Sequence, residues 1–395
     1  MKNKFIIEDV YAKGNKIFYK YLVEGEEKFT KIFWMGELFS VEYNENIENI
    51  PKSILVIPLV CNVLPIAWMN NATINIPELD YTFYKAIKNI KAGYEKMLPK
   101  IKFKAKVKVG KKIKNMYQSS NRVASCFSGG IDSFSTMISR LDEKPDLVTI
   151  WGADVDFENE NGWKVVKEFV ESVSEEYGLK NVLIKASVRR FIDNSVLEEQ
   201  YHELLGGDWW LVMQHGIGLV GNIAPYAYKY KLNKIYIPST FTKDEDFVCA
   251  SNPNIDNELK FGGTTVFHEG YQYTRQDKVK NICDFAKKNK KTIKIRTCFK
   301  SLNGDNCCKC PKCYMTLFAI LSQGMDPNEF GFEFNDDVLE RMKESLSVRE
   351  YLTPIQRLLW RQIQEDCITK KEEFKDNYKL NWVYDMDFSE DNEKK

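Results

Sequence analysis

From Arg122 onward, short apolar runs alternate with longer stretches in which apolar residues recur at helical spacing. The apolar runs predict strands at residues 123–127, 146–152, 181–187, 234–240 and 294–297, and the longer stretches predict helices at 133–142, 161–177, 208–230 and 275–289. Strands that alternate with helices of this length are typical of a parallel sheet covered on both faces. We therefore expect an α/β fold in this part of the chain.

The flanking parts of the chain follow other patterns. Residues 1–45 alternate apolar and polar positions in short bursts between Gly-containing breaks, which predicts a small antiparallel β region. The stretch YTFYKAIKNIKAGYEKML predicts a helix, and KIKFKAKVKVGKKIK after it predicts a strand with one lysine face. Beyond the cysteines we expect helices at 314–323 and 336–372 and a mobile tail, DMDFSEDNEKK.

These patterns divide the chain into three predicted domains. Residues 1–118 form a β-rich N-terminal extension, residues 119–325 form the α/β domain with the cysteine cluster, and residues 326–395 form a helical C-terminal segment with the mobile tail.

Composition narrows the class of protein. A hydrophobic content of 44% and a charged content of 29% are ordinary for a soluble globular chain, and no apolar run reaches the length of a membrane span. The N-terminus MKNKFIIEDVYAKGN has no apolar core followed by small residues, so we expect no signal peptide and a cytoplasmic location. A net charge of +1 argues against a protein that coats nucleic acid with its whole surface.

The segment VASCFSGGIDSFSTM carries the first candidate site. An apolar strand stops at Ser128, and two glycines then lead into a helix. A tight turn with two glycines lets backbone N–H groups approach an anion, and the helix N-terminus adds free donors and a favourable dipole. The alternative is a structural turn that happens to be rich in serine and glycine.

This loop resembles the SGGxDS loop of the PP-loop ATP pyrophosphatases, whereas the chain has neither a GxxxxGK[ST] run nor a GxGxxG after a strand. The resemblance implies a parallel-sheet, HUP-like domain in which the loop holds the β- and γ-phosphates of ATP. Gly129, Gly130 and Ile131 would then wrap the pyrophosphate with their backbone. Ser128 and Ser133 would donate hydroxyl hydrogen bonds, and Asp132 would hold Mg²⁺.

Five of the ten cysteines lie between residues 298 and 313. In a reducing compartment such clustering favours metal binding over disulfides. Cys298, Cys307, Cys310 and Cys313 give the spacing C-x8-C-x2-C-x2-C, which suits a closed, structural Zn²⁺ site. An iron–sulfur cluster remains an alternative, and Cys308 could replace Cys307 as a ligand.

The two motifs together, over residues 120–320, resemble the 7-cyano-7-deazaguanine synthase branch of the PP-loop superfamily. That branch implies adenylation of a deazapurine-like carboxylic acid, followed by attack of ammonia to give an amide and then a nitrile. Some 120 residues before the loop and 70 after the cysteines depart from a compact member and resemble an extended subgroup. For such a chain the acceptor could also be another amine, including one on a protein.

Further candidate residues follow the predicted strands or begin the predicted helices. Asp154 follows the second strand at the edge where ligands bind, and Arg275 and Lys278 lie one helical turn apart, where they could hold a triphosphate or a carboxylate. His215 could face a substrate, and Asp256 could belong to a loop over the site. A helix N-cap, a solvated helix face and a packed core histidine are the structural alternatives for Asp154, Lys278 and His215.

The stretch from Lys85 to Lys114 carries twelve lysines and one acid, Glu95. It could bind tRNA or another acidic partner, although a solvated strand and helix face accounts for it slightly better. Candidate partners of the chain are thus an amine-bearing protein, tRNA and a second copy of the chain in a homodimer. Two alternative functions are tRNA thiolation through a persulfide on Cys308 and a non-catalytic nucleotide-binding scaffold.

Overall fold

The computed structural model describes residues 2–33, 37–245, 247–298, 301, 304–347, 352–375 and 377–388. Within these residues eleven strands form one sheet. They are β1 (Lys4–Lys13), β2 (Lys16–Glu24), β3 (Ser40–Tyr43), β4 (Thr73–Asp80), β5 (Lys106–Ile113), β6 (Val123–Cys126), β7 (Asp146–Trp151), β8 (Asn181–Ala186), β9 (Lys234–Pro238), β10 (Lys260–Phe261) and β11 (Thr264–Glu269). Their order across the sheet is β10-β11-β9-β6-β7-β8-β3-β2-β1-β4-β5.

Helices cover this sheet. They are α1 (Glu27–Thr30), α2 (Lys52–Leu55), α3 (Ile57–Met69), α4 (Tyr81–Met97), α5 (Ile131–Ser139), α6 (Glu160–Glu176), α7 (Asn194–Leu205), α8 (His215–Val220), α9 (Ala224–Tyr230), α10 (Pro253–Asp256), α11 (Arg275–Asn289), α12 (Pro311–Leu321), α13 (Asp336–Ser347), α14 (Pro354–Thr369) and α15 (Tyr378–Asn381). In the part of the chain that the structure describes, none of them combines the length and apolarity of a bilayer span.

The prediction of an α/β fold with a largely parallel sheet is confirmed. Strands β11, β9, β6, β7 and β8 run parallel, and β6 to β9 are apolar and buried along most of their length. Strand β6 lies between β9 and β7, so the chain order reverses beside β6. In open α/β sheets the crevice at the carboxyl ends of the strands, at this reversal, is where ligands bind.

The N-terminal strands continue the same sheet. Strands β1, β2 and β3 pair antiparallel as predicted, and β3 then pairs antiparallel with β8 through Val41, Glu42 and Tyr43. Strands β4 and β5 run parallel to each other and to β1, with α4 as the connection between them. The lysines of β5 are exposed, as its alternating pattern predicts.

Two apolar cores lie on the two faces of the sheet. One joins the N-terminal strands and α3, with Trp68, to β6–β9 and to α8 and α9. The other joins α5, α6 and α11 to α12 and the C-terminal helices, with Phe318 and Trp360 near its centre. The first core contains residues from both sides of the predicted domain boundary near residue 118, and the second contains residues from both sides of the one near residue 325. The division into three domains stays a prediction.

The strand predicted at residues 294–297 is wrong. The backbone N–H of Ile295 donates to the carbonyl of Phe330 (2.9 Å), at the end of a 3₁₀ turn, and that of Arg296 donates to the carbonyl of Gly129 (2.7 Å), in the loop after β6. The strand that pairs with β9 on its other side is β11.

Two predicted helices are interrupted. Residues 208–230 form a π-helical turn (Trp210–Gln214), α8, a short 3₁₀ turn and α9, which starts anew at Pro225 in its first turn. Residues 336–372 form α13 and α14, and Thr353 caps α14 through a capping box with Gln356. Residues 348–351 of the predicted helix and 389–395 of the predicted mobile tail lie outside the described residues.

Candidate functional site

The loop between β6 and α5 lies at the carboxyl end of β6. Gly130 is the N-cap of α5, and among the residues that the structure describes no side chain caps the N–H groups of the first turn. The Ser133 hydroxyl donates to the Gly130 carbonyl (3.0 Å) and lies 3.5 Å from the Ser128 hydroxyl. The loop thus presents two hydroxyls and uncapped helical N–H groups at one place, which is the arrangement that binds an anion.

Gly129 is required by this turn. Its φ is +81°, and a Cβ atom there would lie 2.2 Å from an edge carbon of Phe169. Gly130 has φ −83°, and a Cβ atom would meet its nearest neighbours only at 3.6 Å. An added side chain should therefore destabilise the fold much more at Gly129 than at Gly130.

We expect Gly129→Ala to lower the free energy of unfolding by about 2 kcal/mol or more, because the positive φ and the clash with Phe169 add up. Gly130→Ala is the matched control and should change it by less than about 0.5 kcal/mol. Urea unfolding of the two variants measures both values. Equal effects would contradict the loop conformation described here.

Four cationic side chains converge on the loop. Arg275, at the first position of α11, contacts the Asp132 carboxylate through Nη1 at 3.1 Å, and Lys278 contacts it through Nζ at 3.4 Å. Lys278 is 2% exposed at its side chain and also donates to the Ser239 carbonyl (2.6 Å). Burial disfavours the charged form of Asp132, but Arg275 and Lys278 more than offset this and hold its pKa below the usual value.

The other two cations, Arg296 and Lys312, were not among the predicted ligand-binding residues. Arg296 donates from its guanidinium to the Ser128 carbonyl (3.1 Å), while its buried Nε has no hydrogen-bond partner in the described part of the chain. Burial lowers the pKa of Arg296 and of Lys312, and the Asp154 carboxylate opposes that shift in both. Arg296 lies within the segment predicted as the last strand and Lys312 lies between two predicted cysteine ligands, so neither position signals ligand binding, and only the folded chain brings them to the loop.

A polar cavity of about 210 Å³ opens from the loop toward the cysteine segment. It is lined by Ser128, Asp132, Ser133, Asp154, Arg275, Arg296 and Lys312, and further along by Asn159, Thr297 and Ser301. The Thr297 hydroxyl is buried and without a hydrogen-bond partner among the described residues. Arg296 Nε and Thr297 Oγ1 are thus polar atoms that a ligand in this cavity could satisfy.

A second cavity of about 260 Å³ shares the loop and the cations Arg275, Arg296 and Lys312, and it extends along the ends of β6, β7 and β9. Its far walls are largely apolar, and His215 lies among them with Trp163, Ile237 and Pro238. It occupies the crevice beside β6 where the chain order reverses, which is the expected place for a bound nucleotide.

His215 directly follows the π-helical turn, and its ring contacts Cys249. Its Nδ1 lies 3.8 Å from the Cys249 sulfur, and its pKa is lowered by burial, although Asp154 and Asp256 oppose the shift. The imidazole therefore tends to be neutral at pH 7, when it can accept a proton. The predicted contact of His215 with a ligand is compatible with this position.

Asp256 and Lys278 do not line either cavity. Asp256 is fully buried, and its Oδ2 accepts from the Ser251 hydroxyl and lies 2.8 Å from Nδ1 of His268. These contacts hold the 251–256 segment against β11, so Asp256 is placed as a structural group instead of a loop residue over the site. Lys278 reaches the site through Asp132.

The predicted cysteine ligands come together. Four sulfur atoms all lie within 4.8 Å of one another, those of Cys298, Cys307, Cys310 and Cys313. Hydrogen bonds from the Cys313 thiol and backbone N–H hold the pKa of Cys310 below that of a free thiol, which favours its thiolate form. Four sulfurs at this spacing fit the closed tetrahedral shell of a structural metal ion such as Zn²⁺.

Cys308 is turned away from this four-cysteine group. It is 4% exposed, adopts a positive φ of 47°, and its sulfur accepts from the Glu333 backbone N–H (3.3 Å). The choice between Cys307 and Cys308 as the fourth ligand therefore falls on Cys307.

The four-cysteine group and the loop are adjacent in space. Arg296 precedes Cys298 by two residues, and Lys312 lies between Cys310 and Cys313 at the start of α12. Both side chains line the two cavities. A metal ion bound by the cysteines would therefore fix the positions of two of the four cations.

The chain was compared with protein-family models, with curated proteins and with solved structures, and none of the three comparisons gave a match.

Proposed function

We propose that the chain is a PP-loop ATP pyrophosphatase of the 7-cyano-7-deazaguanine synthase type. It would bind ATP at residues 128–133, activate a carboxylic acid with release of pyrophosphate, and join the acyl group to ammonia or another amine with release of AMP. The observation that carries this proposal is the convergence of an uncapped helix N-terminus and four cations on the SGGIDS loop, at the carboxyl end of β6.

The electrostatics of the site favour a strongly anionic ligand. Arg275, Lys278, Arg296 and Lys312 bring four positive charges, and Asp132 and Asp154 bring two negative ones. Since the four cations and Asp132 are partly or fully buried, whereas Asp154 is exposed, the excess positive charge is screened by solvent less than on an open surface. A triphosphate would neutralise this charge, and its oxygens would also accept hydrogen bonds from the N–H groups at the start of α5.

Residue roles in the proposed reaction follow from position. The acid attacks the α-phosphorus, pyrophosphate leaves toward the loop, and the amine then displaces AMP from the acyl carbon. Arg275, Arg296 and the α5 N–H groups stabilise negative charge as it develops on the leaving pyrophosphate. The neutral His215 imidazole lines the second cavity and would accept a proton from the attacking amine.

Magnesium would supply further charge neutralisation at the leaving group when it is bound. Its oxygen ligands on the cavity wall would be Asp132 and Asp154. Asp132 is already engaged by Arg275 and Lys278, so these two cations orient its carboxylate.

A specific observation disfavours tRNA thiolation through Cys308. A persulfide-forming cysteine needs an accessible, thiolate-forming sulfur, whereas Cys308 is 4% exposed and burial raises the pKa of its thiol. It also lines neither cavity. Carboxylate activation requires no such cysteine, and it is the proposal we keep.

The decisive experiment is product analysis after incubation with ATP, Mg²⁺ and 7-carboxy-7-deazaguanine, with and without ammonia. We expect AMP, pyrophosphate and an amide or nitrile. AMP without a small-molecule product would indicate a macromolecular amine, to be sought by mass spectrometry. No AMP under any of these conditions would contradict activation of this acid, and tRNA would be tested next.

A matched pair of variants ties the activity to the site. Arg296→Gln removes a cation that contacts the loop and should reduce AMP release about 100-fold, as loss of one stabilising donor commonly does. Lys294→Gln removes an exposed lysine two residues away and should leave the rate unchanged.

A further inference from the structure

The proposed function does not account for the lysine surface on the N-terminal part of the sheet. Strand β5 is the outermost strand on that side and pairs with β4 alone among the described strands. None of its eight residues is buried. Its outer backbone edge is therefore open to solvent, and an open edge is a template for one more strand.

Lysines surround this edge. Lys106, Lys108, Lys111 and Lys112 lie on β5 itself, and all four are exposed. Lys106 and Lys108 share one face at the two-residue repeat of a strand, about 6.8 Å. Val107 and Val109 alternate with these lysines and lie on the opposite, half-buried face.

The positive charge extends onto α4 and is largely uncompensated within the segment. The acid of this stretch, Glu95, is paired with Lys91 on the same helix. Lys112 lies over the Tyr84 ring of α4, 3.9 Å from its centroid, which makes the strand and helix lysines one surface. Eleven positive charges in excess between Lys85 and Lys114 call for an anionic partner.

We propose that β5 and its lysines form a docking surface for an extended acidic polypeptide, which adds a strand to the β5 edge. Main-chain hydrogen bonds to the open edge would give affinity, and acidic side chains at every second position would meet Lys106 and Lys108. Apolar side chains at the intervening positions would lie beside Val107 and Val109.

Nucleic acid fits this surface less well. The stretch has no arginine, and the rings of Tyr81 and Tyr84 already have lysine ammonium groups over them, 4.7 Å and 3.9 Å from their centroids. Bases would therefore find few free aromatic faces to stack on. A nucleic acid also lacks the regularly spaced peptide N–H and C=O groups that would pair with the open backbone edge of β5.

The test uses the full-length protein and three probes: a ten-residue peptide of alternating glutamate and valine, a peptide of the same composition with the glutamates in one block, and a 20-nucleotide single-stranded RNA. Binding is measured by fluorescence anisotropy at two salt concentrations, and hydrogen exchange reports on the β5 amides. We expect the alternating peptide to bind best and to protect β5.

Lys106→Glu/Lys108→Glu should weaken that binding about tenfold or more, because two attractions become repulsions. Lys288→Glu/Lys375→Glu changes the net charge equally at exposed positions on other elements and should have little effect. ATP-dependent AMP release should be unaffected in both. Preferential RNA binding without β5 protection would overturn the proposal, and so would the absence of binding by any probe, which would leave the lysines as guards against edge-to-edge aggregation.

Discussion

Replacing Cys310 by serine should release the metal ion and lower the free energy of unfolding by more than about 4 kcal/mol, the range that loss of a metal site can reach. Its sulfur is one of four within 4.8 Å of one another, and Cys310 also caps α12 by accepting from the Cys313 N–H. Because α12 lies in the core with α11 and α14, loss of the site should loosen that whole side of the sheet.

Cys308→Ser is the control for this result, since Cys308 is nearby in sequence but outside the four-cysteine group. It should keep a full complement of metal and unfold within about 1 kcal/mol of the parent. Metal content by mass spectrometry and urea unfolding measure both variants. If Cys308→Ser lost the metal and Cys310→Ser kept it, the ligand set would be wrong.

Removal of the metal ion also tests whether the four-cysteine group and the loop are coupled. Arg296 and Lys312 are fixed by the segment that the metal would organise, so removal of the metal by a chelator should weaken ATP binding as well as stability. If the metal-free chain bound ATP with unchanged affinity, the four-cysteine group would not influence ATP binding at the loop.

Local motifs made part of this structure predictable from the sequence. The strand, the two glycines and the helix of residues 123–139 are specified by residues next to one another, and so is the C-x2-C-x2-C spacing. Such signals need no knowledge of distant contacts, because backbone conformation and short-range ligand geometry decide them.

Tertiary contacts decided what the sequence did not reveal. Arg296 reaches the loop because its backbone N–H bonds to Gly129, a contact between residues far apart in the sequence that no periodicity signals. One of the interruptions in the helix predicted over 208–230 begins at Gly221, where the backbone approaches Cys61 of α3 too closely for a side chain. The union of β3 with β8 likewise depends on a pairing that alternation alone leaves open.

Asp132→Asn should reduce AMP release by about 100-fold or more, because the proposed Mg²⁺ site loses a carboxylate ligand. ATP binding without Mg²⁺ should be retained or strengthened, since the loop becomes more positive by one charge. AMP release and equilibrium binding, measured on the same preparation, distinguish these two effects. Loss of both together would indicate a role for Asp132 in holding the loop itself.

The stability of this variant should also depend on Lys278. Its side chain is 2% exposed and would lose its carboxylate partner. This loss costs about 3–5 kcal/mol in a fully buried pair, and less here because the Asp132 side chain is 21% exposed and the Ser239 carbonyl remains as a partner. Asp132→Asn/Lys278→Met removes both charges and should recover most of that loss without recovering AMP release. A double variant as unstable as the single one would contradict the pairing.

The pH dependence has a definite sign. The pKa of Asp132 is lower in the folded chain than its value near 3.9 in the unfolded one, so its contribution to stability is present above about pH 4 and is lost as the pH falls through the folded-state pKa. The difference in unfolding free energy between the parent and Asp132→Asn should therefore be constant from about pH 5 to 7 and shrink below pH 4. A difference that grows on acidification would mean that Arg275 and Lys278 do not hold this carboxylate in its charged form.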